Sequence, residues 1–116
     1  EDLRAKCHRK KTGSTYRNVY SRMAWDEPAP TITTQAYNFG TGRFGHPEQD
    51  RSITPREAAL LQTFPRRFRF VRPHEEVFLA RVGRLIGNAV PPRLAFFVGK
   101  EIMRVATAHR RGERIA

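Results

Sequence analysis

Four consecutive residues, Thr54-Pro55-Arg56-Glu57, commit this chain to a helix with one defined start. A threonine at the N-cap accepts a hydrogen bond from the backbone N–H three residues on, and a glutamate there returns one to the cap. Proline at the first helical position has no N–H to leave unsatisfied, and its φ is already helical. The spacing predicts a helix over 54–62 with Ala58, Leu61 and Gln62 on one face, stopped by Phe64-Pro65. Downstream, Phe78, Leu79, Val82, Leu85 and Ile86 fall at i, i+1, i+4, i+7 and i+8, which predicts an amphipathic helix within 74–86. Gly83 weakens that helix by about 1 kcal/mol relative to alanine. Gly87-Asn88 ends it with two residue types that tolerate left-handed geometry. Pro91-Pro92 opens a third helix, with Leu94, Val98, Ile102 and Val105 at helical spacing and Phe97 and Ala106 beside them. Lys100, Arg104, Arg110 and Arg111 lie toward its C-terminal half, where cations complement the helix dipole, and fraying is expected after about Ala108.

The first half of the chain reads differently. Residues 1–20 are polar and basic, with a run at Arg9-Lys10-Lys11, and suggest a loop or arm with a short strand at 16–20. Pro28 and Pro30 exclude a helix in the next stretch. The β-branched run Thr31-Ile32-Thr33-Thr34-Gln35 predicts a short strand, and Phe68, Phe70 and Val71 suggest another. Residues 38–47 are loop material whose glycines allow turns or a close approach to a ligand. The expected class is therefore α+β: a small mixed domain of short strands and loops followed by three short-to-medium helices.

Charge narrows the partner. Lys and Arg number 22 against 11 acids, a net charge of +11, and most of the excess is arginine. Clustered guanidinium groups suit phosphate, and displaced counterions favour their binding to nucleic acid. A membrane partner is not expected, since no apolar run approaches bilayer length and no long basic amphipathic helix carries bulky anchors. No secretory signal opens the sequence, and one cysteine rules out an internal disulfide. Both fit a cytoplasmic, DNA-associated setting. No His/Cys cluster has metal-ligand spacing, and His46-Pro47 reads as a loop cap rather than a metal or catalytic histidine.

Taken whole, Arg51-Ser52-Ile53-Thr54-Pro55-Arg56-Glu57-Ala58-Ala59-Leu60-Leu61-Gln62-Thr63-Phe64-Pro65 and Ile86-Gly87-Asn88-Ala89-Val90-Pro91-Pro92 resemble the last two conserved blocks of the DNA cytosine 5-methyltransferases. The resemblance spans roughly 20–106 and divides the chain at 72/73. Residues 1–72 would be the second half of the target-recognition domain with the penultimate block. Residues 73–116 would hold the final block and a helix that packs on a catalytic domain. Thr54, Arg56 and Glu57 would then be scaffold, and Arg51 would face DNA or brace the recognition loop. Thr31-Ile32 matches the family's recognition-loop signature. That loop would enter the major groove, where base edges are distinguishable, with Arg22, Gln35, Asn38 and Arg43 as readers or phosphate contacts. The final block would complete an S-adenosylmethionine pocket, with Asn88 and Ala89 approaching the cofactor and Gly87 giving a close backbone approach.

The sequence departs from the family in places. Arg66 follows Phe64-Pro65 where aspartate is frequent, Leu85 stands where glutamine is frequent, and a glycine is absent near Val71-Arg72. No Gly-rich first block, Pro-Cys nucleophile, Glu-Asn-Val block or Gln-Arg-Arg block is present. Cys7 sits in Ala5-Lys6-Cys7-His8-Arg9, without the proline of the family nucleophile that attacks a flipped cytosine, and reads as a non-catalytic thiol. The expected partners are double-stranded DNA and a catalytic domain or subunit of the same methyltransferase. This chain alone is expected to be inactive. The alternative is a non-catalytic DNA-binding module or the small subunit of a split enzyme.

Overall fold

The computed structural model describes residues 20–112. The basic run at 9–11, Cys7 and nearly all of the strand expected over 16–20 lie outside the described residues. Among the described residues there are three helices, α1 over Pro55–Leu61, α2 over Leu79–Gly87 and α3 over Pro92–Arg110, with a short 3-10 turn at Phe39–Thr41. The described residues are mostly helical: the expected helices form, while the short strands of the α+β expectation do not form among them.

In place of a sheet, three extended pieces make isolated bridges, Arg22 to Gly45 in parallel and Gly45 to Ser52 antiparallel. Residues 44–46 are held between their neighbours by Met23 N–H to Gly45 O (2.9 Å), Gly45 N–H to Ser21 O (3.0 Å), Ile53 N–H to Phe44 O (2.8 Å) and His46 N–H to Arg51 O (2.8 Å). Glycine and proline punctuate these runs so closely that no ladder reaches strand length.

The expected strand over 31–35 is a turn entered from extended chain, with Ala36 N–H bonded to Thr33 O (3.2 Å) and Asn38 N–H to Gln35 O (2.8 Å). The physical reason is α2, which lies against this backbone. A Cβ on Gly83 would sit 2.5 Å from Thr34 O and 2.6 Å from the Tyr37 ring, and one on Gly87 would collide with Thr34 N and Thr33 C. The two glycines that weaken α2 locally thus let it seat on the 33–37 segment. The expected strand at 68–71 is likewise absent. Phe64, Phe68 and Phe70 instead cluster with ring centroids 4.9–5.0 Å apart.

α1 keeps its expected place, and its capping box forms in full. α2 starts five residues later than 74. Glu75 is committed to a turn, accepting from Arg72 N–H (3.1 Å) and from Arg81 Nη1 (2.6 Å), while His74 sits at φ 68. Those bonds hold the Glu75 carboxyl below the ordinary carboxylate range, the Arg72 N–H contributing most. α2 ends without left-handed geometry, Asn88 being at φ −87 and ψ −6. α3 stays helical through Arg110.

The core is small: Ile32, Ala36, Phe44, Ile53, Ala58, Ala59, Val82 and Ile86. α1 and α2 pack together, and α3 packs on neither. Of the apolar stripe expected on α2, Val82 and Ile86 are buried while Phe78, Leu79 and Leu85 are exposed.

Gly83→Ala gives a direct test of the α2 contact. Helix propensity alone would make it stabilising by about 1 kcal/mol, whereas the clash predicts a loss of about 1–3 kcal/mol. Gly99→Ala on α3 meets nothing within 4 Å and should show the propensity gain instead. Urea denaturation followed by circular dichroism measures both, and the two signs should differ.

Candidate nucleic-acid interface and cofactor wall

The site is built around the Glu57 carboxylate. It accepts a bidentate pair from Arg51, Nη1 to Oε2 at 2.7 Å and Nη2 to Oε1 at 2.8 Å. Oε2 also takes Thr54 N–H (2.7 Å) and Thr54 Oγ1–H (2.9 Å), while Thr54 Oγ1 accepts Glu57 N–H at 3.2 Å. Charge-assisted bonds of this kind are roughly twice as strong as neutral ones. The Arg51 guanidinium, aided by Thr54, holds the Glu57 carboxyl down to about 2. Arg51 also donates to Ser52 O (3.0 Å), so it braces the segment leading into α1. Arg56 reaches the other way, donating to Phe68 O (2.8 Å) and Arg66 O (3.4 Å).

The loop facing this node is braced from inside. His46 is buried, and its Nδ1 accepts from Glu48 N–H (3.2 Å) and Gln49 N–H (3.1 Å). With Nδ1 an acceptor, the neutral ring carries its proton on Nε2, which lies 3.9 Å from Glu57 Oε1. The histidine is thus a loop cap. Trp25 stands edge-on to it at 5.7 Å and donates to Glu48 Oε1 (2.8 Å).

The residues expected to read DNA divide into two groups. Arg22 donates to His46 O at 2.8 Å, to Gln49 O and to Asp50 Oδ1, so its guanidinium ties down the 46–50 loop. Ile32 is buried in the core, and Asn38 Oδ1 accepts Gly40 N–H at 3.0 Å to cap the 3-10 turn. Thr31, Gln35 and Arg43 are exposed, and their side chains make no hydrogen bond among the described residues. The Gln35 carbonyl, by contrast, accepts Thr41 Oγ1–H (2.8 Å).

The two motifs meet at Gln62, placed by its spacing on one face of α1, and at Thr63, which the sequence did not single out. Gln62 Nε2 donates to Ile86 O (3.2 Å), and Thr63 Oγ1 accepts Arg93 N–H (3.1 Å) at the start of α3. Thr63 holds φ 64 to do so, a position that costs a β-branched residue about 1–3 kcal/mol. Its place directly after the helix is the one sequence signal that could have marked it. Beyond this junction Asn88 is exposed at the end of α2, and its side-chain amide has no partner among the described residues. Ala89 is half-buried and Val90 exposed. The close approach that Gly87 makes here is to the Thr33–Thr34 backbone.

Among the described residues no three His, Cys, Asp or Glu side chains converge as metal ligands. No described helix is long and apolar enough to cross a membrane. Fold and site together define a helix-backed loop module in which no catalytic cluster is assembled among the described residues.

Comparison with known proteins places this module. The profile of C-5 cytosine-specific DNA methylases matches residues 2–104, and the chain belongs to that family. It is 51% identical over 115 residues to the type II methylase M.HgiDII of Herpetosiphon aurantiacus, covering 99% of this chain and 32% of that protein. It is 44% identical over 105 residues to the type II methyltransferase M1.BsuMI of Bacillus subtilis, covering 87% and 22%. With DNA (cytosine-5)-methyltransferase 1A of Oryza sativa subsp. japonica it shares 38% identity over 101 residues, covering 86% and 6%. The chain therefore spans a third or less of the length of these relatives.

The Glu57 node makes stability pH-dependent in one direction. The folded value lies below the ordinary 4.5, so its contribution is complete above about pH 4.5 and is lost as pH falls toward 2. With allowance for the pair's partial exposure, about 1–2 kcal/mol is at stake. Thermal unfolding between pH 5 and 2.5 should show this loss in the native chain, and Glu57→Gln should flatten it.

Proposed function

We propose that this chain is the DNA-recognising and cofactor-closing segment of a DNA (cytosine-5-)-methyltransferase, which transfers a methyl group from S-adenosylmethionine to cytosine in duplex DNA. The observation that carries the reading is α3. It runs 19 residues, none of them buried. Leu94, Phe97, Val98 and Ile102 are each half or more exposed, a patch that soluble chains normally cover. This favours an α3 that packs on the catalytic domain of the same enzyme over a self-sufficient DNA-binding module, which would bury its last helix. The division at 72/73 then separates a reading part from a closing part, although both contribute to one small core.

In the reading part, Thr31, Gln35 and Arg43 face DNA with open side chains. Asn38 shapes the loop that presents them, and Ile32 anchors it in the core. Arg22 and Arg51 hold the loop in register, and Thr54, Arg56 and Glu57 form the scaffold beneath. Bonded arginines of this kind position a loop without spending its entropy when DNA arrives. In the closing part, the Asn88 amide, without a partner among the described residues, fits beside Ala89 and Val90 one wall of a cofactor site: a hydrogen-bonding group on an otherwise apolar edge. S-adenosylmethionine would supply the methyl group there. Gly87 allows the Asn88 turn to sit close to the recognition segment, so reading head and cofactor wall share one rigid junction. The setting that follows is intracellular and DNA-associated.

The test is a graft. With labelled S-adenosylmethionine and duplex DNA, the chain alone should transfer no methyl group. Replacing the matching segment of the Herpetosiphon relative with this chain should restore transfer. In that graft Phe97→Glu with Ile102→Glu should reduce activity by more than tenfold. Asn88→Ala should raise the KM for S-adenosylmethionine severalfold while DNA affinity stays unchanged. Turnover by the isolated chain, or an active graft indifferent to the α3 changes, would overturn the reading.

A further inference from the structure

Outside the recognition loop, one segment concentrates charge without compensation. Between Glu57 and Glu75 the sequence contains no acid, yet it holds Arg66, Arg67, Arg69 and Arg72. All four are exposed. Their side chains make no hydrogen bond or ion pair among the described residues. Four arginines elsewhere pair with acids: Arg22 with Asp50, Arg51 with Glu57, Arg81 with Glu75 and Arg104 with Glu101.

The segment is also held in shape. Arg56 clamps the carbonyls of Arg66 and Phe68, and Phe68 N–H bonds to Pro65 O at 2.9 Å. The interleaved Phe64, Phe68 and Phe70 rings pack on one another, so the alternating arginines project from a fixed base. Arg69 and Arg72 together with Arg56 border an open cleft of about 490 Å³. A helix scaffold, one guanidinium and three phenyl rings thus keep four cations, without partners among the described residues, on a short stretch of chain. Such an arrangement carries self-repulsion that a row of anions would relieve.

We propose that residues 66–72 form a second DNA contact, a clamp that grips phosphates of the duplex backbone outside the recognition loop. The proposal rests on the DNA-binding reading above and extends it to a surface that supplies affinity without sequence information. Duplex DNA matches better than an anionic membrane. Planar guanidinium forks suit bidentate phosphate contacts, and the segment offers no run of free apolar anchors, its rings being engaged with one another.

The experiment compares three exposed-residue variants of this chain by fluorescence anisotropy with a random-sequence duplex from 50 to 300 mM salt. Arg66→Ala/Arg67→Ala/Arg69→Ala removes three clamp charges. Arg66→Lys/Arg67→Lys/Arg69→Lys keeps them. Arg93→Ala/Lys100→Ala/Arg110→Ala removes the same net charge from α3. Each phosphate contact contributes about 0.9 to the slope of log affinity against log salt. The clamp variant should lose about 2–3 from that slope and bind at least tenfold more weakly at low salt. The lysine variant should keep the slope, and the α3 variant should change it by less than 1.

Equal slopes for the clamp variant and the native chain would overturn the proposal, as would equal losses in the clamp and α3 variants. Clamp-dependent binding to phosphatidylserine vesicles with an unchanged DNA slope would assign the segment to a membrane instead. If the native chain binds no duplex at all, it is the DNA-recognition reading itself that fails. Circular dichroism should show all three variants folded, since none of the replaced side chains is buried.

Discussion

The Glu57 carboxylate is the interaction on which the rest of this small fold depends. It closes the cap of α1, and through Arg51 it fastens that cap to the segment bridged with residues 44–46. Arg22 continues the connection outward to the 46–50 loop. A fold whose buried apolar set, among the described residues, is eight side chains, three of them alanine, has little hydrophobic surface with which to define loop geometry. Directional, charge-assisted bonds supply that definition instead. The price is sensitivity to acid, because the same carboxylate must stay ionised for the cap and the loop brace to coexist.

The second constraint is steric. α2 lies on the 33–37 backbone through the faces of Gly83 and Gly87, and the bonds from Gln62 and Thr63 join the end of α1 to the end of α2 and the start of α3. Both motif blocks therefore form one junction, with the 33–37 segment on one side and the Asn88 turn on the other. Any movement of the 33–37 segment would be felt at the Asn88 turn through van der Waals contact, without an intermediary. The exposed α3 leaves this junction as a single helix, and its uncovered apolar side is what makes the chain read as part of a larger enzyme.

Arginine serves two separate purposes on this surface. Where it meets an acid or a carbonyl, as at Arg22, Arg51 and Arg56, it organises the backbone. Where it meets no partner among the described residues, as at Arg43 and along 66–72, its charge is open to a phosphate. Net charge alone does not distinguish the two roles, and a count of basic residues overstates how many are available to nucleic acid.

Local chemistry was legible in the residues themselves. The start of α1, its proline and its capping glutamate depend on contacts within four residues, so the string Thr54 to Glu57 sufficed. The opening of α3 at Pro92 and the family resemblance of the two blocks were equally readable, and the profile match bears the resemblance out. What tertiary structure decided was every feature set by distant neighbours. Thr31 to Gln35 has strand propensity, but a helix pressed on its backbone makes it a turn. Residues 74–78 continue a helical pattern, but Glu75 bonds Arg72 and Arg81 and holds them out of α2. Only the fold shows that the Arg22 guanidinium is held by three acceptors from 46–50. The sequence by itself determined where helices could begin and which family the chain joins, because those signals are short-range or cumulative. Only the fold decided which polar groups are spent inside the chain and which remain to bind, since pairing and burial are settled by residues far apart in the sequence.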